Sequence, residues 1–200
     1  MTSKKSLLHK LKTEARTFVK THPTVLDIVA FGSWIRGKDD AADIDILLIY
    51  ASEKNIAIPH RIRKRLQQID KRVSIIDKTY AELFSTAFQA REAFITEGYS
   101  LLYARPLAEG LGLANYIMFK YTLGDANKST RMRFYYALHG RGQEGILKRT
   151  RATKFADTVL LCPIEHTQEM KEFLNAWNLP ILEMPVLIPQ RLANFIARTN

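Results

Sequence analysis

The sequence predicts an α/β (α+β) chain built from two units. Three observations lead there. Segments with apolar residues at helical spacing alternate with short apolar runs bounded by turn residues. Apolar residues make up 46% of the 200 residues, enough for a sizeable core. The pattern is interrupted at "RPLAEGLG", residues 105–112, where Pro and Gly cluster. That interruption divides a first domain, residues 1–105, from a second, residues 106–200.

Each element has its own signal. Leu7, Leu8, Leu11, Ala15, Phe18 and Val19 recur at helical spacing over residues 4–20. After "THPT" the run "VLDIVAF" reads as a strand ending at Gly32, and "DIDILLIY" as the next strand, residues 43–50. "IPHRIRKRLQQI", residues 58–69, reads as a basic helix. "KRVSIID", residues 71–77, reads as a third strand, and "TYAELFSTAFQAREAFITEG" as helix broken once. In the second half "NYIMFKYTL" is a strand, and "KSTRMRFYYALHG" is a helix stopped by Gly140. "ADTVLLCPI" is a strand, "EHTQEMKEFLNAWN" an amphipathic helix and "PILEMPVLIP" a final strand, a second small α/β unit.

Composition narrows the function classes. The formal net charge is +10, which suits polyanionic partners such as RNA, DNA or nucleotides. Cys162 is the only cysteine, so no internal disulfide and no paired-cysteine zinc site can form. The basic N-terminal stretch lacks the apolar core of a signal peptide. No apolar run approaches the roughly 20 residues that cross a bilayer. A soluble cytoplasmic protein without a membrane partner is expected.

The stretch "AFGSWIRGKDDAADIDILLIY", residues 30–50, places two acids at the mouth of an apolar strand. Strand side chains alternate, so Asp43 and Asp45 project to one side and Ile44 and Ile46 to the other. Neighbouring carboxylates repel unless cations sit between them, and hard divalent ions such as Mg²⁺ (or Mn²⁺) take oxygen ligands. A solvated strand end is the plainer reading of the same pair. Upstream, Gly32 lets a backbone approach a ligand closely, and Ser33 offers a hydroxyl and an N–H. If "SWIRG" opens a short helix, its N–H groups form an anion site suited to a triphosphate, with the Arg36 charge beside it. Trp34 could stack on a base or pack internally.

"FGSWIRGKDDAADIDILL" resembles the signature of the DNA polymerase β-like nucleotidyltransferase superfamily: Gly-Ser, a spacer, then Asp-apolar-Asp-apolar. Nine residues separate Ser33 from Asp43. The "GS, two residues, Arg-Gly" arrangement is most similar to the minimal nucleotidyltransferases. The resemblance covers residues 30–50 closely and continues more loosely to about residue 104. It implies a mixed-sheet nucleotidyltransferase domain. In such a domain Gly32, Ser33 and Arg36 would hold the nucleoside triphosphate. Asp43 and Asp45 would bind the divalent ions and be catalytic.

The family adds a third carboxylate on a neighbouring strand in a Val-Asp-apolar setting. Aligned on Val73, that position is Ser74, and the nearest acid is Asp77, of opposite strand parity. Asp77 is the candidate third catalytic acid if a bulge or register shift presents it. Otherwise it is an N-cap for "KTYAEL" and the third acid is missing.

Residues 120–154 carry nine basic residues against two acids, interleaved with Tyr121, Phe134, Tyr135 and Tyr136. Lys128, Arg131, Arg133, Arg141, Lys148, Arg149 and Arg151 are the candidate nucleic-acid contacts, set against the alternative of a solvated basic face. "GRGQEG" reads as a flexible loop. The leading expectation is a metal-dependent transferase that moves a nucleotide, ATP-derived among others, onto RNA (tRNA included) or protein and releases pyrophosphate. The alternative is a catalytically degraded relative acting as a nucleic-acid-binding or toxin–antitoxin partner module.

Overall fold

The computed structural model of the protein describes residues 4–193. It is an α+β structure in two compact units, Met1–Gly110 and Leu111–Asn200, each with its own sheet. Among the described residues no helix is long and apolar enough to cross a membrane.

The first unit opens with α1 (Lys4–Lys20), which buries Leu7, Leu11, Ala15 and Phe18. Strands β1 (Val25–Phe31) and β2 (Ile44–Tyr50) follow, antiparallel to each other. Helix α2 (Ala57–Gln67) buries Ile58, Ile62 and Leu66 on one side, and its basic residues lie on the others. It leads into β3 (Val73–Thr79), which pairs parallel to β2. The segment read as one broken helix is a 3-10 turn, Ala81–Phe84, followed by α3 (Arg91–Glu97). A reciprocal pair opens the 3-10 turn: Thr79 N–H donates to Glu82 Oε2 at 2.7 Å, and Glu82 N–H to Thr79 Oγ1 at 3.2 Å. Thr79, not Asp77, therefore caps this segment. The two-residue strands β4 (Tyr99–Ser100) and β5 (Arg105–Pro106), too short to carry a period, and α4 (Leu107–Gly110) complete the unit. The sheet order is β3-β2-β1-β4-β5.

Both faces of the central strands are covered. Val29, Phe31, Leu47 and Ile49 cluster with Leu83, Phe88 and Phe94. On the alternate positions Ile28, Ala30, Ile44, Ile46 and Leu48 are fully enclosed. A sheet covered on both sides explains why "DILLIY" reads as one continuous apolar run.

In the second unit β6 (Leu113–Tyr121) is followed by α5 (Lys128–His139), whose Asn127 side chain caps Thr130 N–H at 2.9 Å. Then come α6 (Ile146–Thr150), β7 (Thr153–Ala156), β8 (Val159–Pro163), α7 (Thr167–Ala176) and β9 (Ile181–Pro189). The order β7-β8-β6-β9, all antiparallel, is a split β-α-β arrangement. Phe119, Phe134, Leu138, Leu160, Cys162, Met170 and Leu174 form its core. The "GRGQEG" loop is closed by tight packing at its two end glycines, while residues 141–144 between them are exposed. A Cβ on Gly140 would meet Gln143 O at 2.5 Å, and one on Gly145 would meet the carbonyl carbon of His139 at 2.3 Å. Close backbone packing, not phosphate approach, accounts for these glycines.

One buried acid ties the first sheet together. Asp27 on β1 is 8% exposed and accepts from Ile28 N–H at 2.7 Å and from the Ser100 hydroxyl on β4 at 2.9 Å. Burial pushes its carboxyl up to about 6, against hydrogen bonds from Ser100, Ile28 and Leu102 that pull it down. The folded state thus holds this proton more tightly than the unfolded chain. Stability therefore falls as pH rises from about 4 to about 6, by on the order of 3 kcal/mol at most. Chemical unfolding across that range will show this decline in the parent and a flatter profile in Asp27→Asn.

Candidate nucleotide site

Antiparallel pairing of β1 and β2 places Phe31 directly opposite Asp45. The chain leaves β1 at Gly32, where φ is +83°, a conformation that side-chain-bearing residues rarely adopt. A Cβ there would lie 2.8 Å from Asp45 Oδ2. Gly32 is thus required twice, by its backbone angle and by the carboxylate against it.

Residues 33–37 form hydrogen-bonded turns, not the expected short helix. Arg36 N–H donates to Gly32 O at 3.3 Å, Gly37 N–H to Trp34 O at 3.2 Å and Lys38 N–H to Ser33 O at 3.1 Å. The N–H groups of Ser33, Trp34 and Ile35 take no part in these bonds. Gly37, at φ +100°, turns the chain toward the acids. Trp34 is 1% exposed and belongs to the core, so base stacking is closed to it.

The two acids sit differently. Ile44 and Ile46 are 0% and 1% exposed and point inward, which leaves Asp45 between them on the opposite side. Asp43 lies one residue ahead of β2 and is exposed. The parallel β2–β3 register runs without a shift and sets Ser74 beside Asp45. Ser74 Oγ donates to Asp45 Oδ1 at 3.0 Å. A serine hydroxyl therefore occupies the place next to Asp45 where the family pattern has its third acid.

Asp77 is not brought there. It pairs with Leu48, three positions along the strand from Ser74, about 10 Å away at the strand rise. Its parity turns it to the other face, where Lys54 Nζ lies at 3.7 Å. The expectation of Asp77 as a third catalytic acid is corrected on this ground, since no bulge re-aims it. Among the described residues no group of three or more His, Cys, Asp or Glu side chains converges as metal ligands. The Asp45 carboxylate and the Ser74 hydroxyl bonded to it offer oxygen atoms, the donor type that Mg²⁺ or Mn²⁺ takes.

Arg36 is also reassigned. One of its terminal nitrogens donates to both Glu97 oxygens, at 2.7 and 2.8 Å, and Glu97 is only 6% exposed. The guanidinium is thus committed to a buried carboxylate on α3 and anchors the turn after Gly32. The sequence does hold a trace of Glu97: it lies three residues after the core residue Phe94, on the same helical face.

The second-unit cations are largely engaged as well. Lys148 pairs with Glu144 at 3.6 Å, Arg149 with Glu169, and Arg151 with Glu165 at 2.6 Å. Arg131 donates to the carbonyls of Ala126 and Gly124 at 2.8 and 2.7 Å, closing the loop before α5. Arg141 stacks over Tyr136 at 4.6 Å, Arg133 donates to Thr130 Oγ1 at 3.5 Å, and Lys128 is exposed at the start of α5. Phe134 is core, whereas Tyr135 is 48% exposed against His139.

No protein-family model matches the chain, and no curated protein matches it. Among solved structures it is similar to the tri-AMPylated Shewanella oneidensis HEPN toxin in complex with MNT antitoxin. Identity there is 19% and the TM-score 0.35, over 50% of this chain and 71% of that one. It is also similar to a toxin–antitoxin with AMP-PNP, at 22% identity and a TM-score of 0.36, over 45% of this chain and 71% of that one. Likeness at these TM-scores carries no weight for the fold or the chemistry of this chain.

Two substitutions test the anchoring. Gly32→Ala forces a Cβ against Asp45 at a positive φ and will destabilise by about 2 kcal/mol in urea unfolding, whereas a loss below about 0.5 kcal/mol would contradict the geometry. Arg36→Met strands the Glu97 carboxylate. Its cost will be about 2 kcal/mol in urea unfolding at neutral pH, whereas a loss below about 0.5 kcal/mol would contradict the pairing.

Proposed function

We propose that the Met1–Gly110 unit is a metal-dependent nucleotidyltransferase domain resembling the minimal nucleotidyltransferases. It transfers a nucleotide from a nucleoside triphosphate, ATP among them, to an RNA or protein acceptor and releases pyrophosphate. The observation that carries this reading is the apposition of the Gly32 turn and Asp45, enforced by the β1–β2 register. A backbone surface with N–H groups outside its own turn bonds thus stands beside a carboxylate. Anionic phosphate and divalent cation need those two halves together.

In this reading the N–H groups at Ser33, Trp34 and Ile35 receive phosphate oxygens, while Asp43 and Asp45 hold Mg²⁺ or Mn²⁺. The bound ion supplies charge neutralisation between carboxylates and phosphates. Ser74 fixes the rotamer of Asp45 through its hydroxyl. The acceptor oxygen bonds to the α-phosphorus as the bond to the departing pyrophosphate breaks, and the acceptor proton leaves to solvent. Ser74 is no general base, so this proton loss is the slow part of the reaction.

A second reading has one specific observation behind it. With Ser74 beside Asp45 and Asp77 on the far face, the site is better equipped to hold a metal–nucleotide than to activate a hydroxyl. The protein would then be a nucleotide-binding module without transfer.

Incubation with labelled nucleotides, Mg²⁺ or Mn²⁺, and total RNA or protein separates these readings. Transferase chemistry predicts label transfer by the parent that disappears in Asp43→Ala/Asp45→Ala. It also predicts a rise of roughly tenfold or more in Ser74→Asp, which restores a carboxylate beside Asp45. Saturable nucleotide binding with no transfer in either the parent or Ser74→Asp establishes the second reading. Absence of both binding and transfer removes the two together.

A further inference from the structure

A cluster of positive charge without ion-pair partners in the first unit lies on α2 and the turn after it, outside the second-unit stretch that the sequence singles out. His60, Arg63, Lys64, Gln67, Gln68 and Lys71 line one surface depression of about 530 Å³. His60, Arg63, Lys64 and Gln67 recur at helical spacing on α2, on the side away from buried Ile58, Ile62 and Leu66, and Gln68 and Lys71 follow in the turn after the helix. Arg65, on another side of α2, is taken up by Glu14 and lies over the Phe18 ring.

The groove cations have no acidic partner. Among the described residues, neither Arg63, Lys64, Lys71 nor the neighbouring Arg61 takes part in an ion pair. Arg63 donates once, to Ile75 O at 3.1 Å on the outer edge of β3, which leaves its charge uncompensated. Asp70, the acid next to Lys71 in the chain, is held by Arg72 at 2.8 and 3.1 Å, and that guanidinium keeps its carboxyl below the usual range. Lys148, Arg149 and Arg151 in the second unit, by contrast, each face a glutamate.

We infer that this groove binds the phosphodiester backbone of a single strand of nucleic acid. One row of cations along one helix tracks one backbone. The lining holds no Phe, Tyr or Trp on which bases could stack, so the contact is electrostatic and indifferent to sequence. Amide groups of Gln67 and Gln68 stand among the cations; Gln67 also donates to Val73 O at 2.9 Å, which fixes it at the strand edge.

The groove also leads toward the nucleotide site. Its Lys71 end lies three residues before Ser74. The intervening Arg72 donates to the carbonyls of Asp39 and Ala41, at 3.0 and 3.1 Å, in the segment that delivers Asp43. Resting on the transferase reading, the groove is the track of the acceptor strand. Binding is measured without nucleotide or metal, so failure of one idea leaves the other standing.

Fluorescence anisotropy with labelled oligouridylate of about 16 nucleotides, repeated across a salt series, is the test. Lys64→Ala/Lys71→Ala removes two exposed cations without touching the core, and circular dichroism will confirm its fold. The expected result is a loss of roughly tenfold in affinity at low salt and a log–log salt slope shallower by about 1.4. A Lys148→Ala/Arg149→Ala control will bind within about twofold of the parent. An oligothymidylate arm tells RNA from DNA: equal binding identifies the shared backbone, and weaker binding assigns the groove to RNA. Unchanged affinity in the α2 variant, loss confined to the second-unit control, or equal dependence on the α2 lysines for polyglutamate binding would each overturn the assignment.

Discussion

The antiparallel register that sets Phe31 against Asp45 is the constraint on which the candidate site rests. It brings the exit of one strand and the entrance of the next to the same end of the sheet. The connection between them must then turn within reach of a carboxylate. Only a residue without a Cβ fits where that turn begins, since the added carbon would lie 2.8 Å from Asp45 Oδ2 and φ is positive. Deep burial of Ile44 and Ile46 in turn fixes which way Asp45 points. A one-residue slip would carry the acid to the face where Ile44 and Ile46 are enclosed, so hydrophobic burial enforces the polar geometry.

Around this arrangement, charge is distributed according to what each position can reach. Arg36 lies on the turn beside the candidate phosphate surface, yet a buried glutamate on α3 captures it and makes it a brace. Asp77 is diverted by strand parity to Lys54 on the other face, and Ser74 takes the place beside Asp45. In the second unit three cations find glutamates, whereas the cations of the α2 groove find none. Counting charges along the chain locates basic segments. It cannot tell a cation already neutralised from one still available to a ligand.

Much of the architecture was legible in residue patterns. The long central strands, α1, α2, α5 and α7 follow from periodicity, because each buries one continuous stripe or run against a core. The Gly-Ser turn and the pair of acids were legible for a similar reason: a glycine before a polar turn and acids in an apolar strand are both exceptions that need a cause. Less visible were β4, β5, β7 and α6, which are too short for a period to develop. The segment 80–97 reads as nearly continuous helix, but its central residues, Ser85 to Gln89, bend so that Phe88 can enter the core.

The linear order of residues was thus sufficient to establish the α+β class, the strand parity of Asp45, and the serine where a third acid is expected. Those features depend on neighbours in the chain, whose spacing is covalent. The fate of Arg36, Asp77 and the basic residues emerged only on folding, because their partners Glu97, Lys54, Glu165 and Glu169 come from other elements. Solvent ions largely screen exposed charges more than about 8 Å apart at physiological ionic strength. Which charges lie that close is a property of packing, and packing brings together residues that no local pattern connects.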